Sequence, residues 1–174
     1  MRFVLAFVTI AVLGSPALAQ EVGTDELGAS DGPRPAEKGT FGIGLAFGEP
    51  TGISAKLYLQ DDQAVQGAVG FALIGGGVHA HADYVFHPLI LQTRDTFVLP
   101  VYVGPGVRMI QYPDGRDDSY FAFGVRAVGG LLFDFTEIPL DAFVEVAGVL
   151  EYGFQDGEGF GLALNAAAGG RYYF

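Results

Sequence analysis

From Thr40 to Phe174 the chain runs in eight stretches in which apolar side chains alternate with small or polar ones, and no window keeps an apolar stripe at helical spacing. A period of two belongs to extended strands, whose successive side chains point to opposite faces. The stretches lie at Thr40–Gly48, Gly52–Leu59, Gln63–Ala72, Val78–His87, Phe97–Ile110, Tyr120–Phe135, Leu140–Glu151 and Gly159–Phe174. Between them stand EPT, QDD, LIGGG, PLILQTRDT, QYPDGRDDS, TEIP and YGFQDGE, which supply turn-forming residues. Short connections between consecutive strands predict antiparallel neighbours in an up-and-down meander.

The phase of the alternation carries more than its existence. In the fourth stretch Val78, Ala80, Ala82, Tyr84 and Phe86 share a face, opposed by His79, His81, Asp83 and His87. In the seventh, Leu140, Ala142, Val144, Val146 and Leu150 oppose Asp141, Glu145 and Glu151. The sixth sets Phe121, Phe123, Val125, Leu131, Phe133 and Phe135 against Arg126 and Asp134. The fifth sets Leu99, Val101, Val103, Val107 and Met109 against Tyr102 and Arg108, and the second sets Ile53, Leu57 and Leu59 against Ser54, Lys56 and Tyr58. Every stretch has one face without a charge.

A soluble barrel would turn that face inward and cover its outside with charges. Here Phe41, Ile43, Leu45 and Phe47 oppose only Gly42, Gly44, Ala46 and Gly48, so the first stretch has no face suited to water. Turned outward to lipid, the apolar faces need no filling. Inward Gly44, Gly70, Gly104, Gly106, Gly124, Gly130, Gly161 and Gly169 would then leave room for the long side chains of Lys56, Arg108, Arg126 and Arg171. The expected fold is therefore all-β: a closed, eight-stranded antiparallel up-and-down transmembrane β-barrel over residues 40–174. Closure is required because an open edge in hydrocarbon leaves backbone groups unpaired.

The N-terminal residues fit an exported chain. Met1-Arg2, an apolar run from Phe3 to Gly14 and Ala17-Leu18-Ala19 read as a cleaved secretory signal over residues 1–19. Residues 20–39 are polar and rich in Gly, Pro and acids, and read as a flexible acidic leader. The balance of 9 Lys+Arg against 20 Asp+Glu excludes a nucleic-acid partner, which needs clustered positive charge. With no cysteine there is no disulfide framework, thiolate metal site or cysteine nucleophile.

With the leader on the periplasmic side, the outward Phe41, Phe86, Phe97, Phe133, Phe135, Tyr172 and Phe174 fall at one rim, and Phe47, Phe71, Phe121, Phe123 and Phe160 at the other. Two aromatic bands around a Val/Leu/Ala zone are what interfacial anchoring needs. Pro100 and Pro105 within the fifth stretch should each mark a bulge or a locally weak pairing.

The chain ends Gly-Gly-Arg-Tyr-Tyr-Phe, similar to the C-terminal strand of bacterial outer-membrane proteins. Further stretches are Gly-Glu-Pro-Thr-Gly (48–52) before Ala-Lys-Leu-Tyr-Leu, His-Ala-Asp-Tyr-Val-Phe-His (81–87), Leu-Pro-Val-Tyr-Val-Gly-Pro-Gly-Val-Arg (99–108) and Pro-Leu-Asp-Ala-Phe-Val-Glu-Val-Ala (139–147). On these residues 41–174 resemble a family of small, poorly characterised outer-membrane barrels of spirochaetes and deltaproteobacteria. The resemblance implies an eight-stranded barrel similar to the membrane domain of OmpA. It also implies that Tyr172 and Phe174 form an assembly signal read by the barrel assembly machinery. It brings no catalytic residues.

Inside such a barrel Lys56, Arg108, Arg126 and Arg171 would face His79, His81, Asp83, Asp134, Asp141, Glu145 and Glu151. Eight strands enclose a space just wide enough to be filled by side chains. Charges there must pair, because an unpaired buried charge costs several kcal/mol. The expectation is an ion-pair network that plugs the lumen. A narrow polar pore for small solutes or ions is the alternative, kept open by the abundant inward glycine.

His79-Ala-His81-Ala-Asp83 lines two imidazoles and a carboxylate along one strand face, which a transition metal could use. Collinear ligands give poor tetrahedral geometry without help from neighbouring strands, so these residues are assigned to the lumen network, with no metal or cofactor expected. Ser54 and Ser119 have no flanking motif for activation, and no enzyme activity is expected. Asp114, Asp117, Asp118, Asp156 and Glu158 read as solvated loop tips, their spacing unlike a calcium loop. The functional expectation is an integral protein of a Gram-negative outer membrane, with outer-membrane lipid as its partner and a structural or surface-interaction role. A soluble periplasmic ligand-binding calyx is the second alternative.

Overall fold

The computed structural model describes residues 38–74, 76–113, 119–154 and 159–174. The signal and most of the leader lie outside these residues, as do Asp114, Asp117, Asp118, Asp156 and Glu158; of Ser119 only the backbone is described. Eight strands follow one another: β1 (Phe41–Gly48), β2 (Thr51–Gln60), β3 (Gln63–Phe71), β4 (Val78–Thr93), β5 (Phe97–Pro113), β6 (Ser119–Phe135), β7 (Leu140–Gly153) and β8 (Phe160–Tyr173). Each pairs antiparallel with the next, and β8 returns to β1 through a register running from Gly42↔Tyr173 to Gly48↔Ala167, so the meander closes into a ring.

The side-chain faces follow the alternation read from the sequence. Along β7, Asp141, Phe143, Glu145, Ala147 and Val149 are buried, while Val144, Val146, Gly148 and Leu150 are exposed. The ring is inverted relative to an ordinary soluble fold: Leu162 and Leu164 are 87% and 74% exposed, whereas Arg171 and Asp141 are 2% and 0% exposed. The interior is not wholly polar, however. Val85, Tyr102, Val128, Leu132 and Phe143 form an apolar cluster within it, and Ile110 packs with Ala72 and Ala122 in a second.

The largest difference from the sequence reading lies at the end of β4. PLILQTRDT is not a loop: β4 continues through Pro88 to Thr93, leaving only residues 94–96 between β4 and β5. β4 advances three residues from Phe86 to Leu89 while β5 advances two from Val103 to Val101, and again two from Ile90 to Gln92 while β5 moves one, from Pro100 to Leu99. Pro88 sits in the first of these bulges, where its missing N–H breaks no ladder bond. The bulge also flips the phase, so that Leu89 and Leu91 point outward although Phe86 does too. Phe86 is consequently inside the strand rather than at its rim. Pro100 pairs with Ile90 between the two irregularities, whereas Pro105 shifts nothing, with Asp83↔Gly106 and Phe86↔Val103 on either side of it in one register.

The ring is uneven in height. β1, β2 and β3 have 8, 10 and 9 residues, while β4, β5 and β6 have 16, 17 and 17.

Candidate functional site

The buried polar residues of the ring interior form the candidate site, and sheet register decides which of them meet. Gly106 on β5 pairs with Asp83 on β4 and with Arg126 on β6. With no side chain between them, Asp83 and Arg126 reach over Gly106, and Arg126 Nε lies 2.7 Å from Asp83 Oδ1. A Cβ placed on Gly106 would stand 1.8 Å from that oxygen. The same arrangement recurs at Gly130, the shared partner of Tyr102 and Glu145, over which the Tyr102 hydroxyl donates to Glu145 Oε2 at 2.8 Å. It recurs again at Gly124, over which Arg108 Nη1 stands 3.3 Å from Glu151 Oε2. Three of the inward glycines thus make room for contacts between side chains two strands apart.

These contacts stack along the ring axis. In the middle layer Glu145 is the hub. Its Oε1 accepts from Arg126 Nη2 at 3.1 Å, and its Oε2 accepts from Gln66 Nε2 at 3.0 Å as well as from Tyr102. Gln66 Oε1 in turn accepts from Arg171 Nη1 at 3.4 Å, joining this layer to the next. There Arg171 Nε donates to Asp141 Oδ1 and Oδ2 at 3.1 and 3.2 Å. Asp141 also accepts from the Tyr173 hydroxyl at 2.6 Å, and the Arg171 guanidinium lies 4.3 Å from the centre of the Phe143 ring. At the far end Tyr112 accepts from Arg108 and donates to Glu151 at 3.2 and 3.1 Å.

Two expected members stand apart from the expected pairing. Lys56 has no carboxylate at ion-pair distance among the described residues. Its Nζ is 2.9 Å from His87 Nε2 and lies over the rings of Tyr58 and Tyr102 at 4.7 and 5.3 Å. His87 Nδ1 is 3.1 Å from the Asp62 carbonyl, which fixes the tautomer: Nδ1–H donates to Asp62 and Nε2 accepts from the ammonium. Lys56 is therefore satisfied by a neutral imidazole and two aromatic faces instead of an ion pair. Asp134, for its part, pairs with Lys38, the last cation of the leader, rather than with a cation from the strands.

His79 and His81 of β4 occupy a third environment. His81 Nε2 lies 3.8 Å from Asp83 Oδ2 and 3.9 Å from Glu145 Oε1. His79 Nδ1 is 3.7 Å from Glu49 Oε2, and neither ring nitrogen of His79 has a hydrogen-bond partner among the described residues. An enclosed cavity of about 10 Å³ borders His81, Glu145, Gln66, Ser54 and Arg171, with room for about one water.

Gln66, Tyr112, Tyr173 and Phe143, with Lys38 and Glu49 near the ends, are members of the site that the sequence does not single out, and Tyr102 is one that it places inward without a role. Tyr172 and Phe174, the expected assembly residues, project outward and touch ring to ring, 5.1 Å between centroids. Comparison of the chain with protein-family models, with curated proteins and with solved structures finds no match.

Proposed function

We propose that this chain is an exported, integral outer-membrane protein whose eight-stranded barrel spans the bilayer, with a structural or surface-interaction role and no catalysis. The observation that carries this reading is the inversion of the ring. A continuous outer band that includes Leu45, Val107, Val125, Val146, Leu162 and Leu164 is exposed, while Lys56, Arg108, Arg126 and Arg171 are buried inside. Water would penalise such a band, since monomeric soluble proteins rarely expose contiguous apolar patches larger than a few hundred Å². Hydrocarbon would not, and closure removes the unpaired strand edges that lipid cannot tolerate. The outward Phe174 and Tyr172 agree with the terminal aromatic signature that the resemblance implies for the barrel assembly machinery.

The filled interior favours a plugged barrel over the pore. Arg126, Glu145, Gln66, Tyr102, Arg171 and Asp141 form one connected hydrogen-bonded network over two layers of it, and the cavity beside them has room for about one water. Fractionation tests the membrane reading. Expressed with its signal in a Gram-negative host, the protein should stay in the outer-membrane pellet through carbonate and urea washes. Release into the wash would overturn the proposal and favour a periplasmic calyx.

A further inference from the structure

We propose that His81, Asp83 and Glu145 form a site for a divalent transition metal of the Zn²⁺ class, inside the ring. The sequence objection to such a site was that ligands on one strand are collinear. The fold answers it by bringing Glu145 from β7 to the β4 pair. One ligand atom from each residue, an imidazole nitrogen and two carboxylate oxygens, lies within 4.8 Å of the other two. Ligands around a tetrahedral zinc at ordinary bond lengths stand ~3.3 Å apart, so the 3.8 and 3.9 Å separations close with small side-chain rotations.

Glu145 is already held as a metal ligand usually is, by outer partners that orient it. Glu145 is fixed through Oε2 by Gln66 and Tyr102, leaving Oε1 toward His81 with one contact from Arg126 Nη2. Asp83 meets Arg126 through Oδ1 and presents Oδ2 to His81. That Arg126–Asp83 contact is short but not aligned as a hydrogen bond, since both Arg126 Nε and the Asp83 oxygens remain without a hydrogen-bond partner among the described residues. The small cavity bordered by both His81 and Glu145 has room for about one water, which could serve as a fourth ligand. A mixed imidazole and carboxylate set of this kind suits zinc and its neighbours rather than calcium or a thiolate-loving metal. The site lies inside the ring and does not depend on what surrounds the ring.

The test uses the full chain refolded in detergent micelles, loaded with Zn²⁺ or Co²⁺ alone and then desalted. The proposal expects about one retained equivalent of metal per folded chain, with visible Co²⁺ bands of a four-coordinate site. His81→Asn should lower retention about tenfold or more, while His87→Asn, outside the site, should leave it unchanged. Folding is monitored separately by circular dichroism and by heat-modifiable gel mobility. Wild-type protein that retains neither metal, or His81→Asn protein that retains as much as wild type, would overturn the site. If His81→Asn fails to fold, zinc-edge X-ray absorption on the loaded wild type decides. One imidazole among oxygen ligands supports the assignment, and any other number of imidazoles sinks it.

Discussion

Asp83 and Arg126 belong to strands that are not neighbours, yet they touch because the residue between them, Gly106, has no side chain. The interior is built from this relationship. A glycine on the middle strand of three converts a spacing too wide for contact into an ion pair or hydrogen bond, and Gly124 and Gly130 repeat it for Arg108–Glu151 and Tyr102–Glu145.

Gly106→Ala should therefore destabilise the fold by about 1–3 kcal/mol, the usual cost of overpacking. The added methyl would overlap Asp83 Oδ1 rather than fill space. In a double-mutant cycle with Asp83→Ala, part of the Gly106→Ala penalty should vanish, because the clashing carboxylate is gone while the 2.7 Å approach to the Ala82 carbonyl oxygen remains. Additive penalties in urea-gradient unfolding would contradict the glycine role.

Asp141→Ala leaves Arg171 buried against Phe143 without its carboxylate, and should cost about 3–5 kcal/mol. Replacing both partners, as in Asp141→Leu with Arg171→Met, should recover much of that loss, since an apolar pair carries no orphaned charge. Refolding midpoints of the three variants check the ordering.

Lys56→Met is the contrasting case. No carboxylate is orphaned by it, and the replacement fits between the Tyr58 and Tyr102 rings that the ammonium now contacts. The cost should stay below about 1.5 kcal/mol, the range for volume-conserving swaps. A loss as large as that of Asp141→Ala would show that Lys56 has a charged partner after all.

On the outside, Val144→Arg should cost about 2–4 kcal/mol when the protein is folded into lipid bilayers, the range for a charge near the midplane of a barrel's outer face. Ala163→Ser, whose side chain faces the interior, should be mild. Equal effects, measured by reversible unfolding from vesicles, would undermine the assignment of sides.

Bilayer recordings on the purified protein should show no steady single-channel steps, because Glu145, Arg126, Gln66 and Arg171 form a connected network across the interior and the cavity bordering it has room for about one water. Reproducible steps abolished by Arg126→Leu would instead favour the pore.

Much of this fold was legible because alternation reports face directly. Val144 outward and Glu145 inward follow from parity alone, and the structure agrees. Parity fails where a bulge inserts a residue, which is why β4 beyond His87 read as a loop and Pro88 as its start. The members of the interior were legible as charges on an inward face, but their partners were not. Pairing depends on register, and the closing β1–β8 seam that completes it joins the two ends of the sequence. Neutral Gln66 carried no signal of its own, and Tyr102 only that of its inward face, although both hold Glu145 in place. Lys38 looked like part of a polar leader until the fold set it beside Asp134.

The unequal strand lengths have one more consequence. Crossing the hydrocarbon takes about 9–11 tilted residues, of which β1, with 8, falls just short, while β5 and β6, with 17 each, overshoot. Embedded in a bilayer, such a molecule has a low flank and a tall one, the latter standing proud by roughly 15–20 Å in total. Lipids beside the low flank would have to shorten, and anything approaching from outside would meet a parapet on one side only, so the cylinder acquires a compass bearing within the plane of the membrane.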